Sequence, residues 1–426
     1  MKAHALHQET SDPFLRTNGT PGPGPCSRPQ PAPVPPEPVR FSPPQTLIPH
    51  FTGPASPPFA LLALRPTPDA PKNTEALLPA LAALQHTHGE KLHMAQENDL
   101  FFLLLLENPG DEPQEILASL KKQSQGISLN IGIYTHPLPG FSPEQALDQA
   151  RKALTHSHLL GPGATTFFDA VSLNISGDEA YQEGRIAEAI AEYEAALILD
   201  PLNANVLNSL GVCFAVLQDF DKALEAFDRS HAAAPQEAMA VYNQGLLHEM
   251  QGAKEKACIF FEKALHLNPL SFESAFHLGR MHMALGKQDL ALPCLEKACA
   301  LRPENGPALG LLAQACLDAG DLPRAFAFFR QALRRMPRDP AVLSGLGACF
   351  DQKGENPDIA ATFCEEALTL EPGRALFALR LARIRMRQGR FEEAGTLFMQ
   401  AQEGGETLTE KDRLALESVL PQALDA

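Results

Sequence analysis

Five prolines, Pro201, Pro235, Pro269, Pro303 and Pro337, stand 34 residues apart along the chain. A beat of that length, kept over five landmarks, belongs to helix–turn–helix units that stack on one another. The interior of each unit keeps the same time. Gly177, Gly211, Gly245 and Gly279 recur on the first helix, and Ala313 and Gly347 continue the series. Ala189, Ala223, Ala257, Ala291 and Ala325 recur on the second helix, where a larger side chain would overpack the crossing. Tyr193, Phe227, Phe261, Leu295 and Phe329 are expected to fill the space between adjacent pairs, with Ala196, Ala264, Ala298 and Ala332 three residues later. Gly184, Gly252, Gly286 and Gly320 are placed to reverse the chain with positive φ.

This set of positions resembles the tetratricopeptide repeat family over about residues 170–403. A sixth unit carries an insertion near "GENPDIA" and ends at Pro372. A seventh keeps Ala382, Gly389, Ala394, Phe398 and Ala401 without a closing proline. We expect an all-α superhelical solenoid of about seven repeats over 171–405, closed by an amphipathic capping helix over 406–426. One pair cannot bury its apolar face alone, so the pairs stack and the first helices line a concave groove. The resemblance implies that the groove holds an extended peptide or a helix of a partner protein. By register, Asn205, Asn208, Met239, Tyr242, Asn243, Leu246, Glu273, Phe276, His277 and Arg280 face it. Asn offers both donor and acceptor to a bound backbone, and Tyr242 and Phe276 are candidate anchors. The Lys residues with which some members clamp a C-terminal carboxylate are missing.

Upstream the composition changes twice. Residues 1–57 include "TPGPGPCSRPQPAPVPPEPVRFSPPQ", which reads as a disordered, proline-rich tail with polyproline II character. Its P-x-x-P spacing suits an aromatic groove, though a solubilising tail is the plainer reading. Residues 58–170 carry short apolar runs, "PFALLALRP", "DLFFLLLL", "GISLNIGIYTHP" and "ATTFFDA", separated by "TEALLPALAALQ", "EPQEILASLKKQ" and "SPEQALDQARKAL". Strand and helix periodicities alternate, so a small α+β domain with one main sheet is expected.

In that domain, Ile131-Gly132-Ile133 on a strand, Gln149-Ala150-Arg151-Lys152-Ala153-Leu154 on a helix, then Gly161 and "FFD", resemble the C-terminal half of a GGDEF domain of the diguanylate cyclase family. The resemblance implies a signature hairpin at Glu97-Asn98-Asp99-Leu100-Phe101, where only Asp99 and Phe101 fit. The metal-binding Asp of the first strand is replaced by Arg65, followed by Pro66, and the phosphate-facing Lys by about His158. Without those carboxylates nothing holds the Mg²⁺ that phosphoryl chemistry needs. The expectation is a degenerate domain used for interaction, a possible homodimer or signal reception. The alternative is a diguanylate cyclase, or a catalytically dead nucleotide sensor, regulated by the array.

Net charge bounds the partners further. With 51 acidic against 35 basic residues, the chain carries −16 and repels phosphate backbones and anionic lipid. The expected partner is a protein or peptide, with no nucleic acid, membrane, cofactor or metal, and no catalysis. The start, "MKAHALHQETSDPF", lacks the apolar run of a secretory signal, and "LFFLLLLE" is too short to span a bilayer, so a cytoplasmic protein is expected. No C-x-x-C occurs among the eight cysteines; Cys213, Cys258, Cys294, Cys299, Cys316, Cys349 and Cys364 read as reduced thiols on helices. His86, His88 and His93, with Glu90 among them, match no standard metal spacing and read as a solvated loop. The resemblances together imply a bacterial scaffold in signalling or complex assembly.

Overall fold

The computed structural model describes residues 41–51, 57–67, 77–98, 101–110, 112–123, 127–354, 356–405, 410 and 413–414. The tail over 1–40 and Asp99 fall outside these residues, as does all of the expected capping helix over 406–426 except Glu410, Arg413 and Leu414.

Five strands form one sheet: β1 (Phe59–Pro66), β2 (Leu92–Asn98), β3 (Phe101–Glu107), β4 (Leu129–His136) and β5 (Thr165–Phe167), in the order β2-β3-β1-β4-β5. β1 lies between β3 and β4 and runs antiparallel to both, whereas β4 and β5 are parallel. Its two central strands are apolar without alternation because both faces are covered. Ala60, Leu62, Leu64, Leu104 and Leu106 pack under α2 (Leu78–His88) and α3 (Glu112–Gln123). Phe59, Leu61, Ala63, Leu103 and Leu105 face α4 (Ala146–Leu159). Gly132 permits the second layer: a Cβ there would overlap the backbone of Ala150 and Leu154 on α4.

Two expectations are corrected here. The strand β2 was not foreseen, because His93, Gln96 and Glu97 break its apolar run. The expectation of a disordered segment over 1–57 fails over residues 41–51. Ser42 bridges to Ala95 of β2, a 3₁₀ turn covers Pro44–Leu47, and α1 (Ile48–Phe51) follows. Leu47 is buried in the core, so this piece belongs to the fold.

From Ala170 onward the described chain is helical. The pairs are α5 (Ala170–Gln182) with α6 (Ile186–Leu199), α7 (Ala204–Val216) with α8 (Phe220–Ala233), and α9 (Ala238–Met250) with α10 (Lys254–Leu267). They continue as α11 (Phe272–Ala284) with α12 (Gln288–Leu301), α13 (Gly306–Asp318) with α14 (Leu322–Arg335), α15 (Pro340–Lys353) with α16 (Pro357–Leu370), and α17 (Ala375–Arg387) with α18 (Phe391–Glu403). The periodic prolines sit just past the second helices, where the helix has already ended. Asp169, Asn203, Ser271, Asn305 and Asp339 cap first helices by accepting a backbone N–H three residues on.

The aromatic series bridges the gap between pairs and also fills the space beside each pair's glycine. Tyr193, Phe227, Phe261 and Leu295 lie against Gly177, Gly211, Gly245 and Gly279 of their own pairs. The aromatics also meet the next pair, as expected: Phe261 lies 5.2 Å from the His277 ring of α11, Phe227 clusters with Ala240 and Leu247 of α9, and Tyr193 with Val206 and Leu210 of α7. The sheet and the helices also share a core. One apolar cluster runs from Phe59 and Tyr134 through Ala150 and Ala153 of α4 to Leu173, Tyr193 and Leu210. Lys152 of α4 is paired with Glu192 of α6 at 2.6 Å, which fixes the first pair against the sheet.

Candidate functional site: the inner wall of the helical array

Each second helix packs on the first helix of the next pair: α6 on α7, α8 on α9, α10 on α11, and so to α16 on α17. First helices also touch first helices, α5 to α7, α7 to α9, α11 to α13, α13 to α15 and α15 to α17. The inner wall is therefore made of first helices, and rungs of polar side chains cross it.

Asn243 of α9 donates its amide to Asn208 Oδ1 of α7 at 2.8 Å. Nearly two turns on, Glu249 of α9 takes His277 Nδ1 at 3.1 Å and pairs with Arg280, both on α11. That pairing and the hydrogen bonds hold the Glu249 carboxyl below its usual range, even though burial pushes it up. Glu273 pairs with Arg302 at 2.6 Å. Arg280 also lies over the Phe276 ring, 5.9 Å from its centroid.

The ten residues named from the sequence thus divide. Asn205 and Met239 are exposed, Met239 at 58%. Asn208, Asn243, Glu273, Phe276, His277 and Arg280 are half-buried and joined in the rungs. Tyr242 packs 5.7 Å from the Phe261 ring and 5.7 Å from His277, and burial pushes its phenol up to about 12. Leu246 joins Tyr242 beside Phe261 and Met281. Tyr242 and Leu246 are therefore packing residues as much as surface. Glu249, which ties α9 to α11, was missed: a lone Glu near a helix end carries no periodic signal.

The wall of the later units was missed as well. Arg380 of α17 is 8% exposed and reaches across the wall. Its guanidinium donates to Ser344 Oγ of α15 at 3.0 Å and to Gln314 Oε1 of α13 at 2.8 Å. Arg387 donates to the Asp351 carboxylate of α15 at 2.9 Å. Arg380 occupies the register of Asn243 and His277 once the insertion in the sixth unit is counted.

In the sheet domain, Asn98 and Phe101 pair across the β2–β3 hairpin, and Asp99 lies outside the described residues. Arg65, the one exposed residue of β1, stands next to its last residue and pairs in register with Asn130. Burial pulls the His158 imidazole down, and the charge of Arg65 adds to this. His86 and Glu90 are exposed, whereas His93 sits on β2. The described cysteines are free thiols. Burial pushes Cys213 and Cys364 up to about 12, so they stay protonated at neutral pH.

No helix among the described residues is long and apolar enough to cross a membrane. The tetratricopeptide repeat family model matches residues 176–238, 218–272, 276–341 and 351–406, just over half of the chain. BBSome complex member BBS4 of Bos taurus is 26% identical over 210 residues, covering 48% of this chain and 40% of that protein. Photosystem I assembly protein Ycf3 of Acaryochloris marina is 30% identical over 99 residues, covering 22% of this chain and 60% of that protein. The chain spans less than two thirds of the length of either relative. A solved tetratricopeptide repeat protein from Parabacteroides merdae is 20% identical with a TM-score of 0.42, over 59% of this chain and 98% of that one.

Proposed function

This chain belongs to the tetratricopeptide repeat family, and on that premise we propose that it is a non-enzymatic scaffold holding a peptide or helix of a partner protein against its inner wall. The observation that carries the reading is the state of the wall over α7 to α11. Met239 and Asn205 stand exposed there, beside the Asn208–Asn243 rung and the Phe276 face. An apolar anchor next to paired amides suits a bound backbone with one buried side chain. The names of two relatives, a BBSome complex member and a photosystem assembly protein, agree with a role in complex assembly.

We read residues 58–170 as a degenerate GGDEF-like unit serving interaction, as a homodimer contact in bacterial signalling, with the array over 171–405 and a cap over 406–426. Support for the lineage is the hairpin between β2 and β3 at the place of the signature, and the order β4, α4, β5 around Gly132. Arg65 at the end of β1, where active members carry a metal-binding Asp, argues against phosphoryl chemistry.

The test is affinity capture with the full-length chain and with a Met239→Glu, Asn205→Ala variant, from the lysate of the source organism. Preys that depend on the wall disappear with the variant. An unchanged prey set would remove the groove reading. Incubation with GTP and Mg²⁺ addresses catalysis separately: a cyclic dinucleotide product would remove the non-enzymatic reading.

A further inference from the structure

Away from the helical array, three side chains from three different elements meet at the outer end of the sheet. Glu107 closes β3, His93 lies on the neighbouring strand β2, and His50 arrives on α1. His93 pairs in register with Leu105, so Glu107 is its diagonal neighbour on the same face of the sheet. His50 is brought in by the backbone. Ser42 N–H donates to the Met94 carbonyl at 3.3 Å and Gln96 N–H donates to the Ser42 carbonyl at 3.1 Å, laying residues 41–51 along the β2 edge.

The convergence is on one atom. His50 Nδ1 is 3.1 Å and His93 Nε2 is 3.0 Å from the same Glu107 Oε1. The ligand-type atoms of the three residues all lie within 4.8 Å of one another. The two imidazole rings face each other with centroids 3.9 Å apart and planes inclined at 35°. A tetrahedral Zn²⁺ with bonds of about 2.0–2.1 Å holds neighbouring ligand atoms about 3.3 Å apart. The three atoms therefore already lie near the separations that one ion imposes. Side-chain exposures of 37%, 27% and 29% for His50, His93 and Glu107 leave the site open to entering ions. It borders a hollow of about 650 Å³ lined also by Gln85 and Glu90.

We propose that His50, His93 and Glu107 bind one divalent transition-metal ion, Zn²⁺ by preference, with water completing the tetrahedron. Two imidazoles and one carboxylate select borderline cations such as Zn²⁺ and Co²⁺ over Mg²⁺ and Ca²⁺. The ion clamps residues 41–51, and with them the chain that leads in from the proline-rich end, onto the edge of the sheet. The cluster of His86, His88 and Glu90, close in sequence, is not the site: only His93 of that group takes part.

The experiment is calorimetric titration of the chelator-stripped full-length chain with ZnCl₂, with MgCl₂ as control. One Zn²⁺ per chain is expected, and no Mg²⁺ binding at the same concentrations. Bound Co²⁺ is expected to give the visible bands of four-coordination. Glu107→Gln and His93→Ala weaken Zn²⁺ binding at least tenfold. His50→Ala, on a four-residue surface helix, does the same with the sheet intact, as circular dichroism confirms. His86→Ala with His88→Ala leaves binding unchanged. Absence of saturable Zn²⁺ binding overturns the proposal. So does binding that survives all three ligand substitutions, or binding lost with His86 and His88.

Discussion

The ring of Phe329 on α14 lies against Gly345 on α15, the first helix of the next pair. The corresponding aromatics, Phe227 and Phe261, instead lie against glycines of their own pairs, Gly211 and Gly245. The glycine of the fifth unit is replaced by Ala313, and the ring takes its room one helix further on. Gly345→Ala is expected to destabilise the array by about 1–3 kcal/mol, because the added methyl overlaps a fully buried ring. Gly310→Ala on α13 is the control: its Cβ would make ordinary contact with Val342, at 3.5 Å, and the change favours helix. Ala313→Gly is expected to recover part of the loss in Gly345→Ala. Urea unfolding of the four variants reads this coupling; additive free energies would remove it.

Gln218 offers a second strain site. Gly184, Gly252, Gly286 and Gly320 reverse the chain with φ between 69° and 78°, and Gln218 holds the same place with φ of 61°. A side chain with a Cβ is disfavoured in that region by about 1–2 kcal/mol. Gln218→Gly is therefore expected to stabilise the array by about 1 kcal/mol, after the greater freedom of glycine in the unfolded chain is subtracted. Thermal unfolding is the measurement, and a lower midpoint for the variant would refute the argument.

The legibility of the sequence follows from the period. A 34-residue beat repeats each signal, so Gly177, Ala189 and their successors could be placed on helices from spacing alone. What spacing cannot tell is which neighbour a side chain meets. Tyr193 and Phe261, which spacing places between pairs, also lie against Gly177 and Gly245 of their own pairs. Glu249 and Arg380 were missed because each acts singly, bonded to residues 28 and 36 positions away. β2 was missed because its edge position lets polar residues interrupt the apolar run. His50 and Glu107 are 57 residues apart in sequence, and only the pairing of residues 41–51 with β2 joins them.

Asp178 makes the stability of the first pair depend on pH. Burial raises its pKa above the ordinary 3.8, although the Tyr193 hydroxyl donates to it at 2.6 Å and Asn174 at 3.2 Å. A carboxyl whose pKa is higher in the folded state binds its proton more tightly when folded. Its contribution therefore favours the fold at low pH and is lost as pH rises through the folded pKa. Asp178→Asn keeps an acceptor for Tyr193 and removes the buried charge. The variant is expected to be more stable than the parent at pH 7, with the gap closing as pH falls below the ordinary value. Denaturant titrations at pH 7 and at low pH measure the gap; one that widens on acidification contradicts the assignment.

Arg380 closes the inner wall where Met239 leaves it open. Its guanidinium is buried, burial pulls its pKa down although the Asp318 charge offsets part of this, and its hydrogen-bond acceptors are the neutral Ser344 hydroxyl and Gln314 amide. A charge taken from water with neutral partners recovers little of its hydration. Arg380→Met, which keeps much of the volume, is expected to leave stability unchanged or raise it. Arg380→Ala is expected to cost about 2–4 kcal/mol, since it opens a cavity and strips Ser344 and Gln314 of their donor. The same pair of variants locates the binding surface. If the partner lies over α7 to α11, Arg380→Met leaves capture intact while Met239→Glu abolishes it. Loss of capture with a stable Arg380→Met would move the contact to the wall of α13 to α17.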